Sequence, residues 1–256
     1  MRNRLDSLFA AGAGREAAAA RALYLDLMKR ALLNLIYSEH ERRLKPFDDA
    51  SRLEGRDWPA MAQTMIGWRR LENLQRCAED VLARRVPGDF VETGVWRGGA
   101  IIFMRAILKA YGVADRSVWG ADSFQGLPAP DARDAGSVAQ TYEELCVPLD
   151  EVRANFEKYG LLDEQVRFLP GWFSHTLPQA PIKKLSLMRL DGDLYESTFT
   201  ALTSLYPKLS RGGYVIVDDY GTLPSCRQAV EDYRRAESIT EEVIPIDWTG
   251  VYWRRT

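Results

Sequence analysis

The chain has 256 residues, of which 46% are apolar and 27% charged, and carries a net charge of −2. That is enough chain to bury a full core in one large domain, or in one domain with an appendage, and the near-neutral charge argues against a nucleic-acid partner. Three widely spaced cysteines without a CxxC pair fit a reduced, cytoplasmic setting, and no apolar run reads as a signal peptide or a membrane span.

Residues 1–15 read as polar and frayed. Arg15–Tyr37 reads as an amphipathic helix with a broad apolar face including Leu23, Leu25, Leu27, Met28, Leu32 and Leu33. A face that wide predicts packing against more than one surface, and with it a homodimer or a larger homo-oligomer. Glu39–Pro59 is charged and weakly periodic, and reads as a loop with weak helix. Met61–Val86 is helical again, so residues 1–86 form an expected helical cap or lid, and 87–256 the main domain.

From Asp89 the pattern changes. Strands are expected at Asp89–Val95, Ser117–Ala121, Val166–Leu169, Leu185–Leu190, Tyr214–Val217, Glu242–Ile246 and Val251–Arg254. Helices fall between them at Ala100–Tyr111, Leu149–Tyr159, Phe199–Leu209 and Ser225–Ala236. Strand–helix alternation predicts an α/β fold: a doubly wound, mostly parallel, seven-stranded Rossmann-like sheet, with a closing hairpin through Asp247–Gly250.

Three constellations sit at strand ends, where open α/β sheets bind ligands. The first is Glu92-Thr-Gly-Val-Trp-Arg-Gly-Gly99. Its glycines allow close backbone approach and the following helix offers amide donors, yet the G-x-G-x-x-G dinucleotide spacing is missing. Glu92 would repel a pyrophosphate and attract an ammonium, which favours S-adenosylmethionine over NAD. The plain alternative is a simple strand-to-helix turn. The second is Asp122, placed to receive ribose hydroxyls or else to cap a loop, with Ser123–Gly126 beside the sugar or adenine edge. Gly171-Trp172-Phe173, after the third strand, is placed against the adenine or is simply core. The third is Asp191 and Asp193 after one strand with Asp218 and Asp219 after its neighbour. Acids converging there repel unless a cation separates them, and oxygen ligands suit magnesium. Asp191, Asp218 and Asp219 are the expected metal ligands and Asp193 a further ligand or base; helix capping is the ordinary reading for one such acid, not for four. Of the two histidines, His40 and His175, only His175 lies near this edge, as a second base candidate.

These motifs resemble the macrocin and mycinamicin sugar O-methyltransferases, a family that methylates deoxysugars of natural products and includes a noviose 4-O-methyltransferase. The resemblance runs from about Leu23 to the C-terminus. It is carried by Gln63-Thr-Met-Ile-Gly67, ETGVWRGGA at 92–100, ADSFQGLP at 121–128, YGLLDEQVRFLPGWF at 159–173, RLDGDLYEST at 189–198, GGYVIVDDY at 212–220 and GVYWRRT at 250–256. It implies S-adenosylmethionine, Mg2+, a hydroxyl of a glycosylated small molecule as acceptor, and Thr64 and Met65 in a helical lid over the cofactor. It also implies metal ligation by Asp191, Asp218 and Asp219, with Asp193 as base or supporting the base. The loop Ala129–Val147 departs from the family pattern, which leaves the sugar and aglycone open. In the expected mechanism Asp193, or else His175, takes the hydroxyl proton, Glu92 and Gly94 hold the methionine end, and Asp122 holds the ribose. Two other readings share these features: a catechol-type magnesium O-methyltransferase, whose substrate offers the same pair of oxygens, and a non-catalytic cofactor-binding or assembly subunit.

Overall fold

The computed structural model describes residues 2–38, 48–135 and 143–256, with side chains from residue 14 onward. His40 and part of the Ala129–Val147 loop lie outside them. Helix α1 spans Arg2–Leu32, so the segment expected to fray is helical. Helix α2 covers Asp49–Glu54, capped by Asp48, and α3 covers Gly67–Ala83. The helix expected from Met61 therefore starts later. Gly67 has a positive φ of 74°, and the Thr64 hydroxyl oxygen accepts from the Ile66 amide at 3.3 Å, a local bond that competes with helix formation. Thr64 and Met65 accordingly sit in an irregular segment rather than a helical lid.

Strands β1 (Asp89–Thr93), β2 (Val118–Asp122), β3 (Val166–Pro170), β4 (Leu185–Leu190), β5 (Leu209–Val217), β6 (Ile244–Pro245) and β7 (Val251–Arg254) form one seven-stranded sheet in the order β3-β2-β1-β4-β5-β7-β6. Strands β1 to β5 run parallel; β7 is antiparallel to both β5 and β6. The expected doubly wound sheet with a terminal hairpin is thus observed. β5 is longer than its apolar run because pairing, not hydrophobicity, extends it: Leu209 pairs with Leu185, and the Gly212 amide donates to the Arg255 carbonyl at 2.7 Å.

Strand alternation splits the core in two. Phe90, Leu187 and Ile216 face one side, where they pack with Leu71, Leu74 and Val81 of α3, Leu25 and Leu32 of α1, and Ile101 of α4 (Gly99–Ala110). The first helices and the sheet therefore share one core. Val91, Met188, Val215 and Trp253 face the other side, against Leu202 of α5 (Tyr195–Leu205) and Cys226 and Val230 of α6 (Pro224–Ala236). Among the described residues no helix is long and apolar enough to cross a membrane.

Register fixes the place of the site. Thr93 pairs with Leu190, and Leu190 with Val217, so β1, β4 and β5 end level. Backbone bonds continue one step further: the Asp191 amide donates to Thr93 O and the Asp218 amide to Leu190 O, both at 2.9 Å. Strand order reverses between β1 and β4, the switch point where such sheets open a crevice.

Candidate active site

A cavity of about 820 Å³ opens over those strand ends. Its floor is Glu92, Gly94, Asp191 and Asp218; its roof is the segment Gly55–Ile66; its sides carry Asp122, Ser123, Trp172, Asp193, Asp219 and Trp248. Gly94 is obligatory at the crossing of β1 and β4. Its φ is +81°, and a Cβ there would stand 1.6 Å from the Asp191 carbonyl oxygen.

The centre holds a residue that the motif reading passed over. Arg189 lies within β4, in register with Glu92 of β1, and is 1% exposed. On the face shared by Glu92, Arg189, Asp191 and Asp218, its guanidinium donates to Glu92 Oε1 at 2.5 Å, to Asp191 Oδ2 at 2.8 Å, and to Asp218 Oδ1. Arg70 of α3 donates to the other Asp218 oxygen. The converging acids are thus partly neutralised from within. The signal was available in the sequence, since a lone arginine in the run Leu185–Leu190 is a charge that must find partners if the strand is buried.

Two guanidiniums do not balance Glu92, Asp191, Asp193, Asp218 and Asp219. Burial pushes Glu92 up to about 8 despite Arg189, and burial together with Asp191 and Asp218 pushes Asp193 up to about 7. Asp191 and Asp219 are raised as well, chiefly by burial and then by neighbouring acids. The folded protein therefore holds protons that the unfolded chain has released by mildly acidic pH. Stability contributed by these groups is lost as pH rises through about 7 to 8. The ligand-free protein should melt at lower temperature at pH 8.5 than at pH 6, and Glu92→Gln should flatten that slope; calorimetric scans across this range read both.

Three acids, Asp191, Asp218 and Asp219, are the expected metal ligands, with Asp193 as a further ligand or base, and the structure divides them differently. Asp191, Asp193 and Asp219 each bring one carboxylate oxygen within 4.8 Å of the others. Asp218 is drawn off by Arg70 and Arg189, so the nearest set is not the expected Asp191, Asp218 and Asp219. Each Asp218 oxygen keeps a further lone pair, so the arginine bonds and metal ligation are not exclusive. Asp219 Oδ2 is buried with no hydrogen-bond partner, as is Glu92 Oε2. The first suits a divalent cation and the second an ammonium group, because a buried acceptor left bare is costly. Asp193 adopts φ +57°, a left-handed conformation that aspartate tolerates and that marks a residue held by its surroundings.

The remaining predicted residues are spread unevenly. Thr64 and Met65 line the roof, where the Gly99 amide donates to the Gln63 carbonyl at 2.9 Å. Asp122 lines the wall, but its Oδ2 accepts from the Val95 amide at 2.6 Å and its Oδ1 from the Phe124 amide at 2.7 Å. It therefore holds the glycine-rich turn in place and offers a ribose only its spare lone pairs. Ser123, 7% exposed, donates to the Gly126 carbonyl at 2.7 Å. Trp172 and Phe173 line the cavity; Gly171 does not, and its amide instead donates to the Asp122 carbonyl at 2.8 Å. His175 is exposed and outside the lining, on the short helix Phe173–Thr176, so the structure does not bring it to the acid cluster.

A family model described as macrocin-O-methyltransferase (TylF) matches residues 21–255. The chain belongs to that family. This O-methyltransferase is 56% identical over 246 residues to a tetracenomycin-C rhamnosyl 4'-O-methyltransferase of Streptomyces olivaceus, covering 93% of this chain and 94% of the relative. It is 54% identical over 248 residues to the demethyldecarbamoylnovobiocin O-methyltransferase of Streptomyces niveus, covering 92% and 94%. Among solved structures, the O-methyltransferase NovP matches with a TM-score of 0.88 at 56% identity, over 92% of this chain and 99% of that one. As a member of this family, the enzyme uses S-adenosylmethionine as methyl donor, which agrees with the acid at Glu92 and the absent dinucleotide fingerprint.

Proposed function

We propose that this enzyme transfers a methyl group to a hydroxyl of a deoxysugar carried by a glycosylated natural product, with a divalent cation at the acid cluster. The acceptor class rests on the relatives, which are described as acting on a tetracenomycin rhamnoside and a novobiocin precursor. The observation that carries the site reading is the trio Asp191, Asp193 and Asp219 at the level ends of β4 and β5, above the switch point.

S-adenosylmethionine supplies an electrophilic methyl on a sulfonium, and a divalent cation, when bound, makes a nearby hydroxyl easier to deprotonate. Glu92 Oε2 and the Gly94 turn orient the amino-acid end of the cofactor, with Arg189 keeping Glu92 in place. Thr64, Met65 and Trp172 close around the cofactor and exclude water, while Asp122 and Ser123 hold the wall nearest the ribose. Asp191 and Asp219 hold the cation, with Asp218 behind them. Asp193 takes the hydroxyl proton; held near 7, it changes protonation state around neutral pH, as a general base should.

The proximity of Asp193 to Asp191 and Asp219 supports a second reading, in which Asp193 is itself a ligand. Asp193→Asn separates the two. As base, its loss lowers kcat by about 10²- to 10⁴-fold with Mg2+ binding retained; as ligand, Mg2+ binding goes too. Calorimetry with MgCl2, beside methyl transfer from labelled S-adenosylmethionine to a panel of glycosides and catechols, reads both outcomes. Turnover of catechols alone would replace the sugar with an aromatic diol, and no S-adenosylmethionine binding at all would favour a non-catalytic subunit.

Leu23 and Leu27, one helical turn apart on α1, are 74% and 55% exposed while Leu25 and Met28 are buried. This outer stripe supports self-association. Light scattering should give a mass above the monomer, and Leu23→Lys with Leu27→Lys should reduce it.

A further inference from the structure

We propose that Arg70 is a positioning residue that ties the roof of the cavity to the acid cluster, so that the two order together. Arg70 stands on α3 but serves three other parts of the chain. Its Nη1 donates to Asp218 Oδ2 at the end of β5, its Nε to Asp247 Oδ2 in the terminal hairpin at 3.0 Å, and its Nη2 to the Gly55 carbonyl at 3.1 Å. Arg70 is 4% exposed, and the side chains of Asp218 and Asp247 are 5% and 2% exposed. The planar guanidinium presents donors in a fixed fork, a geometry lysine cannot reproduce.

Gly55 is where the roof begins. The roof loop closes on itself at Gly55 and Gly67, which both have positive φ; a Cβ on Gly67 would come within 2.4 Å of the Gly55 amide nitrogen. Everything between them hangs from that neck, as in compact loops whose ends meet. Further bonds hold the span: Arg97 Nη1 donates to the Pro59 and Ala62 carbonyls at 3.2 and 3.0 Å, and the Tyr159 hydroxyl to Gln63 Oε1 at 2.7 Å. Arg70 joins the neck directly to an acid of the cluster. The hairpin is held by the same residue, because the other Asp247 oxygen accepts from the Thr249 and Gly250 amides at 3.0 and 2.8 Å. A shift of Asp218 is therefore met by Arg70, and through it by the Gly55 end of the roof. The hairpin is joined to Asp218 through Arg70 and Asp247 and also directly, by the Thr249 hydroxyl donating to the Asp218 carbonyl at 3.0 Å. It reaches the neck through Trp248 Nε1, which donates to the Glu54 carbonyl at 2.9 Å.

This role rests on the cofactor reading of the cavity, and the test keeps the two apart. Hydrogen exchange on the full chain, with and without S-adenosylhomocysteine, follows the Arg56 and Gln63 amides of the roof, the Thr249 and Gly250 amides of the hairpin, and the β1 amides as a control. In the wild type, S-adenosylhomocysteine should slow roof and hairpin exchange together. In Arg70→Lys and in Asp247→Asn, roof exchange should be at least tenfold faster than wild type with β1 unchanged. Arg70→Lys should also weaken S-adenosylhomocysteine binding at least tenfold by calorimetry, with Mg2+ affinity within threefold. Roof protection without hairpin protection in the wild type overturns the proposal, even where a variant fails to fold. So does roof exchange within twofold of wild type in a folded variant. Absence of any S-adenosylhomocysteine binding to the wild type would instead strike at the cofactor reading.

Discussion

Arg189→Met should destabilise the protein by about 3–5 kcal/mol, the cost of removing one partner from a buried ion network. Arg189 donates to Glu92, Asp191 and Asp218 and is almost fully buried. Methionine fits the volume and leaves three acids facing one another without that guanidinium. The acids then take up protons, so the loss should be smaller at pH 5.5 than at pH 8. Adding Asp218→Asn should recover part of it, because one of the repelling charges is gone. Urea unfolding of the two single variants and the double, at both pH values, measures each term. A double variant as unstable as the sum of the singles would show that the three acids do not act as one network around Arg189. S-adenosylmethionine binding should also fall in the single variant, since Glu92 loses the bond that orients it.

Asp191→Asn should lower methyl transfer on the order of 10³-fold, at about 1.4 kcal/mol per tenfold and several kcal/mol for the lost charge stabilisation. Asparagine keeps the shape and an oxygen acceptor for Arg189 but removes the charge common to both readings of the metal site. Folding should be little affected, because the substitution also relieves repulsion from Asp218, one of the groups that raise Asp191. Calorimetry should show Mg2+ binding weakened, and S-adenosylhomocysteine binding kept within a fewfold. Unchanged turnover in this variant, or in wild type stripped by chelator, would take the cation out of the mechanism. Asp193→Asn differs from it in one respect: as base variant, it loses turnover and keeps the ion.

Much of the architecture was legible because short, near-continuous apolar runs and their separating helices state a parallel sheet directly. Glu92, Gly94, Asp122 and the paired acids were found because they follow such runs, and the end of a parallel strand is a fixed address. The N-terminal region was less legible. Thr64 and Met65 lie in an apolar pattern that looks helical, but the Thr64 hydroxyl bond and the positive φ of Gly67 break it. His175 looked close to the edge along the chain, and one turn of helix carries it outward to solvent.

The sequence by itself determined the fold class, the edge at which chemistry is placed, the family, and the surplus of acid at that edge. Each of these depends on neighbours in the chain or on a pattern repeated along it. Only the tertiary structure decided which acid faces which cation. Arg189 meets Glu92 across a distance of 97 residues and Arg70 meets Asp218 across 148, and nothing local specifies either pair. Strand register, helix packing and side-chain parity choose them together, which is why Asp218 meets both arginines while the Oδ2 of Asp219, next in sequence, is left bare.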